Sequence, residues 1–399
     1  MSRSLLIRLF VFPLFMTVCL VLGLRYLPDR FVPLHIMMVT ALLLVDFALI
    51  HPPGIRQNIV IGFYSLFFGL SAVEFMAILL DPAPTTEETQ TFGLYTGHPI
   101  LGWTLGHPGV YHATRVDKRT GEVIYDATYT LEAGLHRRVV SAEDGPTVAF
   151  LGDSYAFGHG VSDADTMEQA YADLNGRRLR VLNFAVAGYG PQQYLKALEE
   201  GIYDREFGPN LKLIVISTLA WQIERSACKA SYVMRSPRYR LDENGDVQPD
   251  GVCASGIKKI ALEAIMNTNI YHRYLESIIR LPRKPDVDLY IALVARAATL
   301  AHEKYHVPVV VIYEGVADTV VTPTSGVTNA EIIARLRAKG AQVLDMDIRE
   351  DMPPGAPTVL REDNHPTPLA QHARGVVLNR YIAEHLPELT AVPPPAKTL

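Results

Sequence analysis

Ser154 is the side chain of this sequence best placed to act as a nucleophile. The apolar β-type run Thr147-Val-Ala-Phe-Leu151 stops at Gly152-Asp153-Ser154, and a glycine-rich loop (Gly158, Gly160) leads on to a helical pattern. In an open α/β sheet such a stop delivers a hydroxyl to the carboxyl end of a strand, where crevices form. A hydroxyl at the start of a helix also lies beside free backbone N–H groups, which can hold a developing oxyanion. The plain alternative is a strand closing in an Asx or Ser turn. Serine is a weak nucleophile at neutral pH, so the chemistry requires a positioned base.

Two further stretches bear on that requirement. Asn183-Phe-Ala-Val-Ala-Gly188-Tyr-Gly190 follows the next strand-like run, and Asp363-Asn-His365-Pro-Thr-Pro368 precedes a last helical pattern. Together with Val-Ala-Phe-Leu-Gly-Asp-Ser154-Tyr155 they resemble, in order, three blocks of the SGNH/GDSL hydrolase family. The resemblance covers about residues 145–386. It implies a flavodoxin-like three-layer α/β/α domain whose active residues gather at one sheet edge from distant loops.

The family pattern assigns roles to these residues. His365 is the implied base, since an imidazole is suited to proton transfer near neutral pH. Asp363 would orient the ring and stabilise its cation. Family members often carry the acid three positions before the histidine, where this chain has Glu362; Asp363 is preferred here and Glu362 is the alternative. The backbone N–H groups of Ser154 and Gly188 would form the oxyanion hole. The family usually adds an Asn side chain from the loop after the third strand. Here that loop reads Ser217-Thr-Leu-Ala-Trp221-Gln222-Ile-Glu224-Arg225, which leaves Gln222 as the substitute donor. Losing one such donor costs ~10²–10³ in rate. Trp221, Tyr155 and His159 are the candidate substrate contacts. His159 lies too near Ser154 in the chain for the same short loop to aim it at the hydroxyl. Asp163 and Asp165 read as helix-start residues, Asn183 as a structural polar group. His107, His112 and His136 lack metal-ligand spacing. No phosphate loop, dinucleotide fingerprint or zinc motif occurs, so the reading calls for no cofactor and no metal.

Strand-like runs at about 147–152, 179–184, 211–218, 308–314 and 341–345 alternate with helical patterns near 166–175, 191–204, 287–305, 328–338 and 367–385. That alternation implies a parallel sheet with helices on both faces. Ahead of it, 110–116 and 122–131 flank the turn signal Asp117-Lys-Arg-Thr-Gly121, marking a small β subdomain over about 97–145. Residues 81–96 read as a linker and 388–399 as a disordered tail. An excursion at about 226–256 contains the hairpin signal Glu243-Asn-Gly-Asp246 and is bracketed by Cys228 and Cys253, an expected disulfide that would fasten a lid beside the site. Unpaired thiols are the alternative. Helices near 256–282 follow.

Residues 5–24, 32–50 and 59–80 are apolar runs of about the length that crosses ~30 Å of hydrocarbon. Arg3, Arg8 and Arg56 would lie on one side, Arg25 and Arg30 on the other. Three spans with a cytoplasmic N-terminus place everything after Leu80 outside, in the periplasm beyond an inner membrane. Asp46 and Glu74 fall inside the second and third runs, where a carboxyl is expected to bond a neighbouring helix. The 37 basic and 42 acidic residues form no basic cluster with interleaved aromatics, which excludes nucleic acid as a partner.

The leading expectation is a membrane-anchored extracytoplasmic serine esterase acting on an acyl ester of an envelope glycan or lipid. An acyltransferase on the same machinery, fed by a membrane acyl-donor partner, is the first rival. A non-catalytic glycan-binding or assembly protein is the second.

Overall fold

The structure is a computed structural model and describes residues 7–50, 54–81, 85–315 and 321–389. Arg3 and all but two residues of the expected tail lie outside the described residues. The chain forms two compact units, one of residues 1–83 with 256–280 and the other of 84–255 with 281–399.

The first unit is built on three helices long and apolar enough to cross a membrane, Ile7–Tyr26, Asp29–Ile50 and Ile55–Leu80. Within them α1 (Phe12–Tyr26), α2 (Val32–Ile50) and α3 (Ile55–Leu80) are regular α-helix. Leu, Phe, Val and Ile side chains cover their outer surfaces, the arrangement of helices whose solvent is hydrocarbon. Pro13 sits in the first turn of α1, where its missing N–H costs nothing. The two carboxyls expected to bond neighbours differ in setting. Asp46 lines a cavity of about 400 Å³ together with Arg8, Pro13 and Thr40. Glu74 is fully buried and accepts hydrogen bonds from the backbone N–H groups of Asn269 (2.7 Å) and Ile270 (2.9 Å) and from Asn269 Nδ2 (2.7 Å).

The second unit is the α/β domain. Its strands are β1 (Thr86–Gln90), β2 (Tyr95–His98), β3 (Gly102–Leu105), β4 (Gly109–Asp117), β5 (Val123–Glu132), β6 (His136–Arg137), β7 (Thr147–Leu151), β8 (Arg180–Asn183), β9 (Leu211–Leu219), β10 (Pro237–Leu241), β11 (Val247–Val252), β12 (Val309–Glu314) and β13 (Gln342–Asp345). Nine of them form one sheet in the order β1-β4-β5-β6-β8-β7-β9-β12-β13. From β8 to β13 the pairing is parallel. Along β7, Val148 and Phe150 join a core with Met167, Tyr171 and Leu378, while Ala149 and Leu151 join a core with Leu195, Ile291 and Val294. Side chains of period two therefore feed both faces of the sheet, and a helix layer covers each. The expected three-layer fold is present.

Three expectations about its borders are corrected. The stretch read as a linker, 81–96, contains β1 and the first half of β2. The β prelude is not a separate subdomain: Arg137 pairs with Asn183, so β6 continues the main sheet from the free edge of β8. Alternation revealed the β4–β5 hairpin but carries no information about which edge it joins. The α/β domain is also not continuous, since 256–280 leaves it for the first unit. Cys228 and Cys253 are disulfide-bonded with Cα atoms 5.5 Å apart, closing the β10–β11 hairpin excursion at its base.

Candidate active site

The nucleophile side comes from one strand and one loop. β7 ends at Gly152, where a Cβ would lie 2.9 Å from Ala156 and 3.1 Å from Ser217, so only glycine lets the chain turn there. Asp153 caps the four-residue helix Ser154–Phe157, its Oδ1 accepting from Tyr155 N at 3.0 Å. Arg137, fully buried between Tyr129 and Phe157, donates to the carbonyls of Phe157, Gly158 and Val161 and fixes the glycine-rich loop that follows. The base arrives from a tight turn over 359–366, in which Leu360 N donates to His365 O at 2.7 Å and Asn364 adopts a φ of 66°.

These two loops meet. His365 Nε2 lies 2.8 Å from Ser154 Oγ, and His365 Nδ1 is hydrogen-bonded to Asp363 Oδ1. Asp363 Oδ2 in turn accepts from Arg115 Nη1 at 2.5 Å, in a pair whose carboxylate is almost entirely buried. Burial acts to raise the Asp363 pKa, but the His365 hydrogen bond and charge, with smaller help from His159 and Arg115, hold it below the ordinary 3.8. Glu362 points elsewhere, toward the Thr85 hydroxyl. The Tyr155 hydroxyl donates to Asn364 O (2.7 Å), bracing the histidine turn. The His159 ring centroid is 4.5 Å from that of His365, and its Nε2 shares a hydrogen bond with the Tyr125 hydroxyl. Burial first, and then the charge of His365, push the His159 pKa down to about 4. His159 is therefore a neutral imidazole flanking the base at physiological pH. Its ring, Asp363 and His365 offer donor atoms within 4.8 Å of one another. A cation there would have to displace Arg115 from the carboxylate and Ser154 from the ring, so the set is fitted to proton transfer rather than to a metal.

The oxyanion side is assembled differently. Gly188 has a φ of 83°, and a Cβ on it would lie 3.1 Å from Trp103 and 3.4 Å from Tyr232. Among the described residues, neither Ser154 N nor Gly188 N donates to a backbone carbonyl. Trp103, from β3 of the prelude, donates from Nε1 to Ala187 O (3.1 Å) and packs edge-on against Tyr189 and Tyr232. Arg225 Nη1 donates to both Asp153 Oδ2 and Tyr189 O, each at 2.7 Å. One guanidinium thus ties the serine loop to the Gly188 loop. The expected donor Gln222 is turned away: fully buried, it accepts from Thr218 Oγ1 (2.9 Å) and directs Nε2 toward Ser217 O. It opens the helix Gln222–Ser226, and that start aims its side chain at Thr218 and Tyr194 rather than at the crevice. Trp221 is 39% exposed at the N-cap of the same helix.

No family model matches the chain, and no curated protein does. Solved structures to which the chain is similar include a G-D-S-L family lipolytic protein from Desulfitobacterium hafniense (9% identity, 59% of this chain and 99% of that one, TM-score 0.33). They also include the esterase EstA from Pseudoalteromonas sp. (11%, 61% and 99%, TM-score 0.35) and TesA (13%, 60% and 99%, TM-score 0.33). The sequence blocks come together as hydroxyl, imidazole and carboxylate, the arrangement that the resemblance to SGNH/GDSL hydrolases implies. The site departs from that pattern in the loop 217–225, which holds no Asn and whose Gln222 turns inward.

Three residues of the candidate site were not singled out by their sequence setting. Arg115 and Trp103 come from the prelude, more than thirty positions before the nucleophile, and nothing local marks them. Arg225 stands in the very loop searched for an amide, and its cationic side chain was the available signal. Under the serine loop, Gln371 and Arg374 both donate to Tyr155 O at 3.0 Å, and Arg374 pairs with the buried Glu314.

Proposed function

We propose that this chain is a membrane-anchored serine hydrolase that cleaves a carboxylic ester, working outside the cytoplasm. The supporting observation is the 2.8 Å approach of His365 Nε2 to Ser154 Oγ with Asp363 behind the ring. In this reading Ser154 Oγ attacks the ester carbonyl carbon while His365 takes its proton. The N–H groups of Ser154 and Gly188 hold the carbonyl oxygen as it becomes an oxyanion. His365 returns the proton to the departing alcohol, leaving an acyl group on Ser154. Water, deprotonated by His365, then releases the acid. A fluorophosphonate probe should label the full-length protein and not Ser154→Ala, and ester turnover should fall by ~10⁴ or more in the variant. Undiminished turnover in Ser154→Ala would overturn the assignment, whereas no turnover of any ester by the parent, with glycan binding unchanged in Ser154→Ala, would leave the non-catalytic binding role.

The rival reading is acyl transfer on the same machinery. A cavity of about 550 Å³ beside Tyr155 and Pro366 sets Ile333, Met346, Ile348 and Val359 among Glu314, Asp347 and Arg349. That mixed wall suits an acyl chain as well as a hydroxyl-rich acceptor. A labelled acyl ester offered with a glycan acceptor separates the two: acylated glycan supports transfer from a membrane acyl-donor partner, and free acid alone supports hydrolysis.

A further inference from the structure

The segment 256–280 poses a physical problem that the α/β domain does not answer. Its first helix, α4 (Gly256–Met266), has an outward face of Ile257, Ile260, Ala261, Ala264 and Ile265, all exposed, with Lys258 as the one charged residue among them. Ile257 is 86% exposed and Ile260 67%. The inward side mixes Leu262 and the buried Met266 with Lys259 and Glu263, which pair at 2.9 Å. A water-soluble helix would not also leave three isoleucines on its outward face. Beyond a turn at 267–270, the chain continues through Tyr271–Leu275 and α5 (Glu276–Arg280). Tyr274, Leu275, Ile278 and Ile279 make a second exposed apolar stripe, while Glu276 pairs with His272 and Arg280. Nothing in an aqueous setting rewards two such faces.

Glu74 supplies the second observation. The break between the two helices frees backbone N–H groups, which in a water-poor environment must find acceptors. The N–H groups of Asn269 and Ile270 find the Glu74 carboxylate of α3, and Asn269 Nδ2 reaches both Glu74 and the carbonyl of Arg30. Arg30 lies in the first turn of the second apolar helix and Glu74 in the last turns of the third. Since α1, α2 and α3 pack sequentially with short connections, these positions share one end of the bundle. An eleven-residue helix rises only ~16 Å and cannot cross ~30 Å of hydrocarbon.

We propose that residues 256–280 are a second membrane-attachment element: a helical hairpin set into the bilayer on the side where α3 ends, its two apolar faces against acyl chains and its turn held by Glu74. The occupant of those faces is phospholipid, because the hairpin belongs to the same compact unit as the three long apolar helices and extends their apolar surface. A carboxyl in the third apolar helix is then explained as a cap for a re-entrant turn. The inference does not depend on catalysis.

The full-length protein in nanodiscs of brominated phosphatidylcholine provides the test. Tryptophan is introduced by Ile260→Trp and Ile278→Trp, with Leu66→Trp on the exposed surface of α3 and Val110→Trp on the prelude as references, and the parent emission is subtracted. Emission at 260 and 278 should be quenched about as strongly as at 66, and not at 110. Emission unquenched at both, as at 110, would overturn the proposal and point to a protein partner or a second copy on those faces. Separately, trypsin should cut after Lys258 and Lys259 on the order of tenfold faster in Glu74→Ala than in the parent, with Glu74→Gln in between, because a released turn opens locally. Equal rates in Glu74→Ala would overturn the role given to Glu74. Should that variant fail to accumulate, the quenching measurement still decides the location of the hairpin.

Discussion

The base side of the Ser154 crevice and its oxyanion side are held by different means. On the base side each functional atom is wired in series: Ser154 to His365, His365 to Asp363, Asp363 to Arg115. Removing any link leaves a buried polar group unpaired. On the oxyanion side the functional atoms are bare backbone N–H groups, and only the shape of the loop places them. That shape depends on a glycine with positive φ, an indole wall and one guanidinium bridging two loops. The difference teaches that a short motif can encode a relay, whereas a hole is encoded by whatever surrounds it.

The largest effect expected from attacking this contrast is Gly188→Ala. The φ of 83° strains any residue but glycine, and a Cβ 3.1 Å from Trp103 would crowd the indole, so the loop is perturbed. We expect kcat to fall by ~10²–10³ with little change in probe labelling at Ser154, since the base relay is untouched. Equal loss of labelling would show that the two sides are not separable.

Arg225→Met against Gln222→Ala is the next comparison. Arg225 joins the two loops through Asp153 and Tyr189, so its loss should cost about tenfold to a hundredfold in kcat. Gln222→Ala should leave kcat within about twofold and lower Tm, because its side chain bonds Thr218, Tyr194 and Ser217, all away from the Ser154 hydroxyl. A large kcat loss in Gln222→Ala would restore it as a donor.

Arg115→Ala probes the far end of the relay. Asp363 has a pKa held below 3.8 in the fold, so its contribution to stability is complete above 3.8 and is lost as pH falls through the folded value. Removing Arg115 takes away part of that depression. The midpoint of acid unfolding should therefore move to higher pH and kcat should drop roughly tenfold, with partial recovery in Arg115→Lys. An unchanged acid midpoint would make the pair merely structural.

The smallest effect concerns Glu168, fully buried in the helix Met167–Leu174. Burial raises its pKa to about 8, against a lesser opposing pull from Arg374. Between the unfolded value of 4.5 and about 8 the folded chain keeps a proton that the unfolded chain gives up, so stability falls as pH rises through that window. Glu168→Gln should gain Tm relative to the parent at pH 8.5 compared with pH 5, as calorimetry at the two pH values would show.

Much of this was legible before any coordinates. The strands from 147 to 345 and the helices between them follow from apolar period and turn residues, and each lies within a few positions of its expected bounds. Ser154 is marked by a contiguous motif at a strand exit and Asp363 and His365 by one just before the last helix, and the structure brings them together. The prelude shows why the rest was hidden. Its hairpin is a local pattern, but its attachment to β8 rests on one bridge between Arg137 and Asn183, a pairing that no local signal records. Segment 256–280 has ordinary helical periodicity, and only its outward apolar faces and the bonds to Glu74 give it to the first unit.

Sequence by itself determined the elements and the chemical types available: a hydroxyl at a strand end, an imidazole and carboxylate two positions apart, glycines where the backbone must turn, and three apolar runs of spanning length. These are local properties, fixed by side-chain volume, polarity and period. Tertiary structure decided which polar groups face one another. It turned Gln222 into the core and Arg225 across the crevice, and it brought Arg115 from a distant strand onto Asp363. Direction and reach in space are set by how strands stack and where helices begin, and a linear pattern holds neither.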